Sequence, residues 1–464
     1  MSHLTIKKPL WCLIIFHLLF GSVLCAQNLQ WVKTIGSTNS DVGYAIKMDP
    51  FGDIVCAGSF QGTVDFDPGP GITNLTGTGS NLNISVVKYG PSGNVVWAKK
   101  MGGFGPNHPH GITVDTSGNV YTAGFFNSLC DFDPGVGTYT LNSTNNMGDV
   151  FISKLDKNGD FVWARKIGGA ATHDFCFSIS TDDAKNVYIT GKFDGTWDFD
   201  PGVGTYSVTS AGVEDTYVLK LDANGNFAWV QTIGGAFTDD AGGVKVDAQG
   251  NVYVTGYTSS SNFLRYAYVR KYNTNGVLLW NKDITGNSSY GGRITIDNAG
   301  NSYSVGNFDG TSDFDPGSGV FNLTGSYRNL YALKLDINGN FVWARLIGGS
   351  TAQMVYATSI NIDDYGNFCA AGYFYSTVDM DPGPAVHNIA SHGSTDGFIL
   401  VMDRDANYIG STSMGGANTD RMYDADIDSS GKVYATGYFQ DTLKFDPASG
   451  YPNINSAGGD DMIL

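Results

Sequence analysis

Five times the chain sets two aspartates one residue apart, just ahead of a Pro-Gly step. Asp65 and Asp67, Asp131 and Asp133, Asp198 and Asp200, and Asp313 and Asp315 occur in the string DFDPG, and Asp379 and Asp381 in DMDPG. An eroded copy reads KFDPA from Lys444. The residue before a proline is held extended. Both carboxylates of a pair are therefore expected on one side of the chain, with the intervening Phe or Met packing back on the other. Two carboxylates at that spacing form half a site for a hard cation, and calcium is the cofactor they would suit. Backbone carbonyls near the Pro-Gly turn, or water, would have to complete the shell. Such a site belongs at the weak extracellular end of calcium affinities, about 10⁻⁴ to 10⁻³ M. The competing expectation is a solvated turn, closed by Asp and Pro-Gly and anchored by Phe.

Other reactive side chains are few. Beyond the N-terminal segment the cysteines are Cys56, Cys130, Cys176 and Cys369, with no C-x-x-C among them. An exported chain permits disulfides, yet the four fall at different phases of the repeat described below, so buried or isolated thiols are expected. His108-Pro-His110 is the one close histidine pair. It lacks a zinc-ligand context and reads as loop decoration. No G-x-S-x-G elbow, HExxH or phosphate-binding loop is present. A glycosidase needs two carboxyls of different acidity, and near-identical repeated pairs would titrate alike.

Those residues sit in an acidic, exported frame. Lys7 and Lys8 precede an apolar run from Leu10 to Leu24 that ends in VLCAQ. This reads as a signal peptide over residues 1–26, too short in its apolar part for a membrane span. The 27 basic and 44 acidic residues give a net charge of −17, and loss of the two leader lysines leaves 25 against 44. Nucleic acid and anionic membrane are thereby poor partners. Nearly all the acid is aspartate, with Glu214 the one glutamate. Asp, Gly and Asn favour turns, and Tyr, Phe and Val favour strands, so the composition points to an all-β chain with many tight turns.

The positioning elements come from a repeat. Tryptophans fall at Trp31, Trp97, Trp163 and Trp229, 66 residues apart, then at Trp280 and Trp343 after 51 and 63. Each closes a block such as KLDKNGDFVWARKIGG (Lys154 to Gly169). Four short strands alternate within a unit. Strand A is GITVD or GVKVD, strand B GNVYTAG or GNVYVTG, strand C DVFISKLD or DTYVLKLD, and strand D FVWARKIGG. The A–B and C–D links, D-x-x-G-N and D-x-N-G-[ND], are turn sequences. Strand B occurs seven times, which predicts a single seven-bladed β-propeller over residues 27–464. The last unit supplies strand A (ADID), strand B (KVYATGY) and the start of strand C (DDMIL), but no strand D. NLQWVKTIG (Asn28 to Gly36) matches strand D and is expected to complete the seventh blade and remove the open edges. The fixed phase of the tryptophans predicts packing between blades. Because strand C stops short at Leu464, the reading frame is expected to continue, with a module for secretion or attachment.

GNVYVTGYTSSSNF (Gly250 to Phe263), the DVFISKLD-type strand and the Gly-Gly before strand A carry a family likeness. In them the chain resembles the SBBP family, seven-bladed β-propeller repeats of exported bacterial proteins, over Asn28 to Leu464. The resemblance implies the fold and a secreted or cell-surface setting; it implies no catalytic residues. The pentapeptide departs from the plain repeat.

The fourth blade lacks the pentapeptide and still keeps four strands. The insertion is therefore expected to belong to the B–C loop and to have no core role. B–C loops share a face with the variable D–A loops, such as GGFGPNHPHG, and function is expected on that face. Two classes of function follow. One is a monomeric, non-catalytic binding, adhesion or scaffold module for an extracellular protein or glycan. The other is a secreted hydrolase or lyase with its site in the central funnel. Equivalent loops in a ring would favour the first; an axial cluster of Tyr and Trp with unrepeated Asp, Arg and His would favour the second.

Overall fold

The aspartate that ends each strand A folds the next turn around itself. Asp247 Oδ1 accepts the backbone N–H groups of Gln249 (3.0 Å) and Asn251 (2.8 Å), and Oδ2 accepts Asn251 Nδ2 (2.9 Å). Asp115, Asp297 and Asp363 repeat the pattern in other A–B turns. Asp156, Asp222, Asp336 and Asp403 repeat it in the C–D turns. Glutamate is too long for this local bond, which accounts for an acid content made almost wholly of aspartate.

The computed structural model describes residues 29–144, 148–169, 175–261, 264–348, 354–445 and 452–464; the predicted signal peptide lies outside them. Among the described residues there are no α-helices, and the strands form seven antiparallel blades, each ordered A-B-C-D from the axis outward. The innermost strands are Val42–Met48, Asn107–Val114, Phe175–Thr181, Asp240–Val246, Ser289–Ile296, Val355–Ile362 and Arg421–Ile427. Each touches the next, and the last touches the first, so the ring is closed around a central channel.

Closure follows the predicted route. Thr34–Ile35 pairs with Asp461–Ile463, with Thr34 opposite Ile463 and Ile35 opposite Met462. Lys33 and Leu464 exchange both backbone hydrogen bonds at 2.9 Å. The tryptophans are inter-blade rivets, as expected. Trp97, Trp163, Trp229, Trp280 and Trp343 each donate Nε1–H to a carbonyl in the following blade's C–D turn, at 3.0–3.3 Å. The ring leans on the glycine of that turn: a Cβ on Gly276, which has φ +79°, would lie 2.9 Å from Trp229. All four described cysteines are free and buried.

The pentapeptide requires a correction. It lies in the B–C loop as expected, but it has a core role. Phe66, Phe132, Phe199, Phe314 and Met380 are fully buried, inside the main hydrophobic clusters. The insertion forms a hairpin, such as Thr196–Asp198 with Ser207–Thr209. Its first strand then pairs with the end of strand D in the preceding blade. Gly168 lies opposite Asp198 and Gly169 opposite Trp197, and the same pairing joins Gly102 to Asp131, Thr285 to Asp313 and Gly415 to Lys444. The hairpin's far end stacks on its own blade's strand D: Tyr206 on Phe227 at 4.6 Å and Tyr139 on Phe161 at 4.9 Å. Where it is paired in this way, the insertion spans a joint between blades and seals apolar surface there; the hairpins at Asp65 and Asp379 stand as separate two-stranded sheets. A blade can form without it; a sealed joint uses it.

Candidate functional site

The paired aspartates hold the loop that carries them. The first aspartate of each pair turns inward and accepts two backbone N–H groups through Oδ1. Asp65 accepts those of Asp67 (3.0 Å) and Thr73 (2.8 Å), and Asp131 those of Asp133 (3.1 Å) and Tyr139 (2.9 Å). Asp198 accepts those of Asp200 (3.0 Å) and Tyr206 (2.8 Å). Asp313 accepts those of Asp315 (3.1 Å) and Phe321 (2.8 Å), and Asp379 those of Asp381 (3.1 Å) and His387 (2.9 Å).

The second aspartate faces its own Pro-Gly turn instead of its neighbour's carboxylate. Asp67 Oδ1 accepts the Gly69 N–H at 2.8 Å, Asp133 that of Gly135 at 2.8 Å, and Asp200 that of Gly202 at 2.8 Å. Asp315 accepts from Gly317 at 2.8 Å and Asp381 from Gly383 at 2.6 Å. The other oxygen of Asp67 crowds Gly71, where a Cβ would lie 2.1 Å away. Asp133 stands likewise at Gly137, Asp200 at Gly204 and Asp315 at Gly319, at 2.2–2.3 Å. Asp381 has Ala385 in place of that glycine, and its Oδ2 lies 3.8 Å from His387 Nε2. The physical reason is local: a short carboxylate beside a turn meets unpaired backbone N–H groups before it meets another side chain. One oxygen of every carboxylate is thereby committed to the backbone. Among the described residues no group of three or more His, Cys, Asp or Glu side chains is arranged to hold a metal ion.

The side chains that escape the repeat gather on the axis instead. His108 and His110 are not loop decoration: they lie on the inner strand Asn107–Val114, and His110 lines the channel. Pro109 is tolerated there because strand A is an edge strand, bulged between Pro109 and Gly111. Tyr44 stacks on Tyr423 at 5.2 Å and meets His108 edge-on at 5.8 Å. His108 lies 4.8 Å from Phe125, which meets Phe175 at 5.9 Å, and Phe175 stacks on Phe177. Tyr423 continues to Tyr438 (5.7 Å), Tyr356 stacks on Tyr373 (5.0 Å), and Tyr257 meets Tyr290 (5.4 Å). All seven blades contribute to this aromatic collar, at the end of the channel where the D–A and B–C loops emerge.

Charge is set among the rings. Arg421 lies over Tyr373, 4.4 Å from the ring centroid, and Arg328 over Tyr290 at 4.6 Å. Arg265 stands between Tyr257 and Tyr290, 5.5 and 5.4 Å from their centroids. Lys192 pairs with Glu214 at 2.9 Å. Burial, reinforced by Glu214, pushes the Asp240 carboxyl up to about 6. Burial also draws His110 down to about 4, so its ring is neutral and its Nδ1–H donates to the Cys176 carbonyl (3.0 Å).

Below the collar the channel fills itself. Lys47 pairs with Asp426 at 2.9 Å, and Lys245 donates to Asn361 Oδ1 at 3.2 Å. Burial, with Lys47 nearby, draws the Lys245 amine down to about 8, and burial lifts the Asp424 carboxyl to about 6. Arg293 is tied to the Thr358 carbonyl at 2.8 Å. The cavity among these residues holds about 70 Å³, room for a few waters and far below what an organic ligand needs. Tyr44, His110, Phe177 and Tyr423 of the collar line the same cavity.

A model described as a β-propeller repeat, SBBP, matches residues 162–194 and 228–263. Two segments of the chain match the SBBP repeat. Both matches run from strand D of one blade into strand B of the next. The SBBP unit is thus offset from the blade, by the same offset that lets the N-terminal strand D close the ring. An uncharacterized WD repeat-containing protein of Acanthamoeba polyphaga mimivirus is 23% identical over 442 residues, covering 74% of this chain. The chain spans 31% of that relative's length. Among solved structures, a protein of unknown function from Bacteroides caccae is 9% identical with a TM-score of 0.36, covering 71% of this chain and 89% of its own. One from Dyadobacter fermentans is 12% identical with a TM-score of 0.38, covering 79% and 97%.

Proposed function

We propose that the chain is an exported, non-catalytic binding propeller that takes a saccharide at the mouth of its channel, on the B–C/D–A face. The aromatic collar carries this reading. Flat rings at an accessible mouth suit the apolar faces of sugar rings, and polar groups set between them suit the hydroxyls. The closed waist beneath makes the mouth a docking surface and not a passage. The leader sequence supports a secreted or cell-surface setting, where such ligands occur.

The test is a glycan array followed by titration calorimetry. Tyr257→Ala with Tyr373→Ala is expected to weaken binding about tenfold or more. Asp183→Lys with Asp364→Lys, two A–B turn positions on the opposite face, is expected to leave it unchanged. Equal losses from both faces would overturn the reading.

A hydrolase or lyase at the same mouth is the second reading, favoured by Asp240 and Glu214, two acids in different surroundings. It requires product release from a bound oligosaccharide that Asp240→Asn abolishes. The DFDPG loops act in both readings as joint locks, with calcium the alternative occupant of the second carboxylate oxygens. A melting temperature raised by millimolar calcium, and not in Asp198→Asn with Asp200→Asn to the same extent, is the outcome calcium requires. An unmoved melt leaves the loops as locks alone.

A further inference from the structure

We propose that the saccharide is anionic, and that Arg265, Arg328 and Arg421 recognise its carboxylate or sulfate groups; this names the ligand class for the mouth site and rests on that reading. The chain carries far more acid than base, so arginines have carboxylates to choose from. Yet among the described residues every ion pair uses lysine or histidine, and none uses arginine. Away from the axis, Arg165 and Arg345 have a structural duty, donating to carbonyls of the next blade's C–D turn. The three at the mouth have none of that kind.

Their heads lie against tyrosine rings instead. Arg265 Nη1 donates to the Tyr290 hydroxyl at 3.2 Å, and Nε of both Arg265 and Arg421 is buried without a partner. A half-buried guanidinium with neutral neighbours is costly unless an anion completes it. A guanidinium placed against a ring keeps N–H donors that can make a two-pronged bond to an oxyanion. Arg265 and Arg328 hold the blade 4–5 side of the mouth, and Arg421 the blade 7 side. A ligand with sugar rings for the collar and acid groups at its edges satisfies both.

The full chain would be screened against neutral saccharides beside uronate-, sialate- and sulfate-bearing ones, then titrated with the best acidic binder and its methyl-esterified or desulfated form. The acidic form is expected to bind at least about tenfold tighter than the neutral one, with affinity falling as salt rises. Arg421→Gln and Arg265→Gln should erase that preference, so that each variant binds the acidic and the neutral form alike, and should leave the melting temperature in place. Arg421→Lys should restore only part of it, since an ammonium lacks the fork. Equal binding of acidic and neutral forms overturns the inference and leaves the saccharide reading standing. Binding of no saccharide overturns both. A preference that survives both glutamine variants overturns the assignment to these arginines.

Discussion

Phe199→Ala should lower the urea midpoint more than any other single change in a DFDPG loop, at a cost of about 3–5 kcal/mol. Phe199 is fully buried, with Phe193, Trp197 and Tyr217 at 5.3, 5.6 and 5.3 Å. Truncation leaves a void at the joint between blades 2 and 3, where strands from both blades are already paired and cannot collapse into it. Phe199→Met should cost less than about 1.5 kcal/mol, because it conserves shape and volume approximately; the sixth blade already uses Met380 at this place. Asp198→Ala should fall between them, at about 1–3 kcal/mol, since it strands two backbone N–H groups. An unchanged midpoint in Phe199→Ala would return the pentapeptide to a solvated ornament.

Asp461→Asn should stabilise the protein at pH 7.5 and have no effect near pH 4. Asp461 begins strand C of the seventh blade and is 3% exposed. Its Oδ2 accepts the Ala457 N–H at 2.6 Å, while Oδ1 has no partner and points at Gly36, where a Cβ would lie 2.2 Å away. Burial, with Asp41 and Asp460 adding repulsion, lifts the carboxyl from 3.8 to about 6. The folded state therefore holds the proton more tightly than the unfolded chain. Stability from this group is full below about pH 4 and is lost as pH rises through 6, a cost on the order of 3 kcal/mol at neutrality. The first blade has the neutral solution in place: Asn83 accepts the Thr78 N–H at 3.1 Å and donates to the Asn81 carbonyl at 2.9 Å. Denaturation curves at the two pH values decide. A gain of equal size at both, or a loss at pH 7.5, would show that the charge is not what matters.

Whatever repeats along the chain was legible in it. Trp97, Trp163 and Trp229 gave the period, the Asp-Gly turns gave strand ends, and NLQWVKTIG gave the closing strand. The role of Phe199 was half legible. Its anchoring was expected, but the Gly168 and Gly169 that pair with Asp198 and Trp197 beside it belong to the preceding blade, a pairing that strand periodicity within one unit does not express. The aspartates beside it were legible by spacing alone. Asp67, Asp133 and Asp315 stand at ligand-like spacing, and the N–H groups of Gly69, Gly135 and Gly317 each take one of their oxygens, a competition that spacing does not express. The collar was hidden for the opposite reason. Tyr44, His110, Phe177 and Tyr423 share one position, five residues before the aspartate that ends strand A, and aligning repeats discards what differs among them. Reading that column for its variety would have found them. His108-Pro-His110 was obscured by its proline, which argues against a strand unless the strand is an edge with a bulge.

The fourth blade's missing insertion gives the ring a preferred place to breathe. At the joint between blades 3 and 4, the outer strand Phe227–Ile233 ends its sheet with no hairpin paired beyond it, whereas Phe161–Gly169 is continued by two further strands. Local opening is favoured where an outer strand lacks a paired neighbour. Amide hydrogens along Phe227–Ile233 should then exchange with solvent sooner than their counterparts in Phe161–Gly169, and matching rates would refute this. Asp240, Tyr257 and Arg265 stand on the blade that borders this gap. The part of the mouth best placed to yield as a ligand seats is therefore the part already carrying an arginine between two tyrosines.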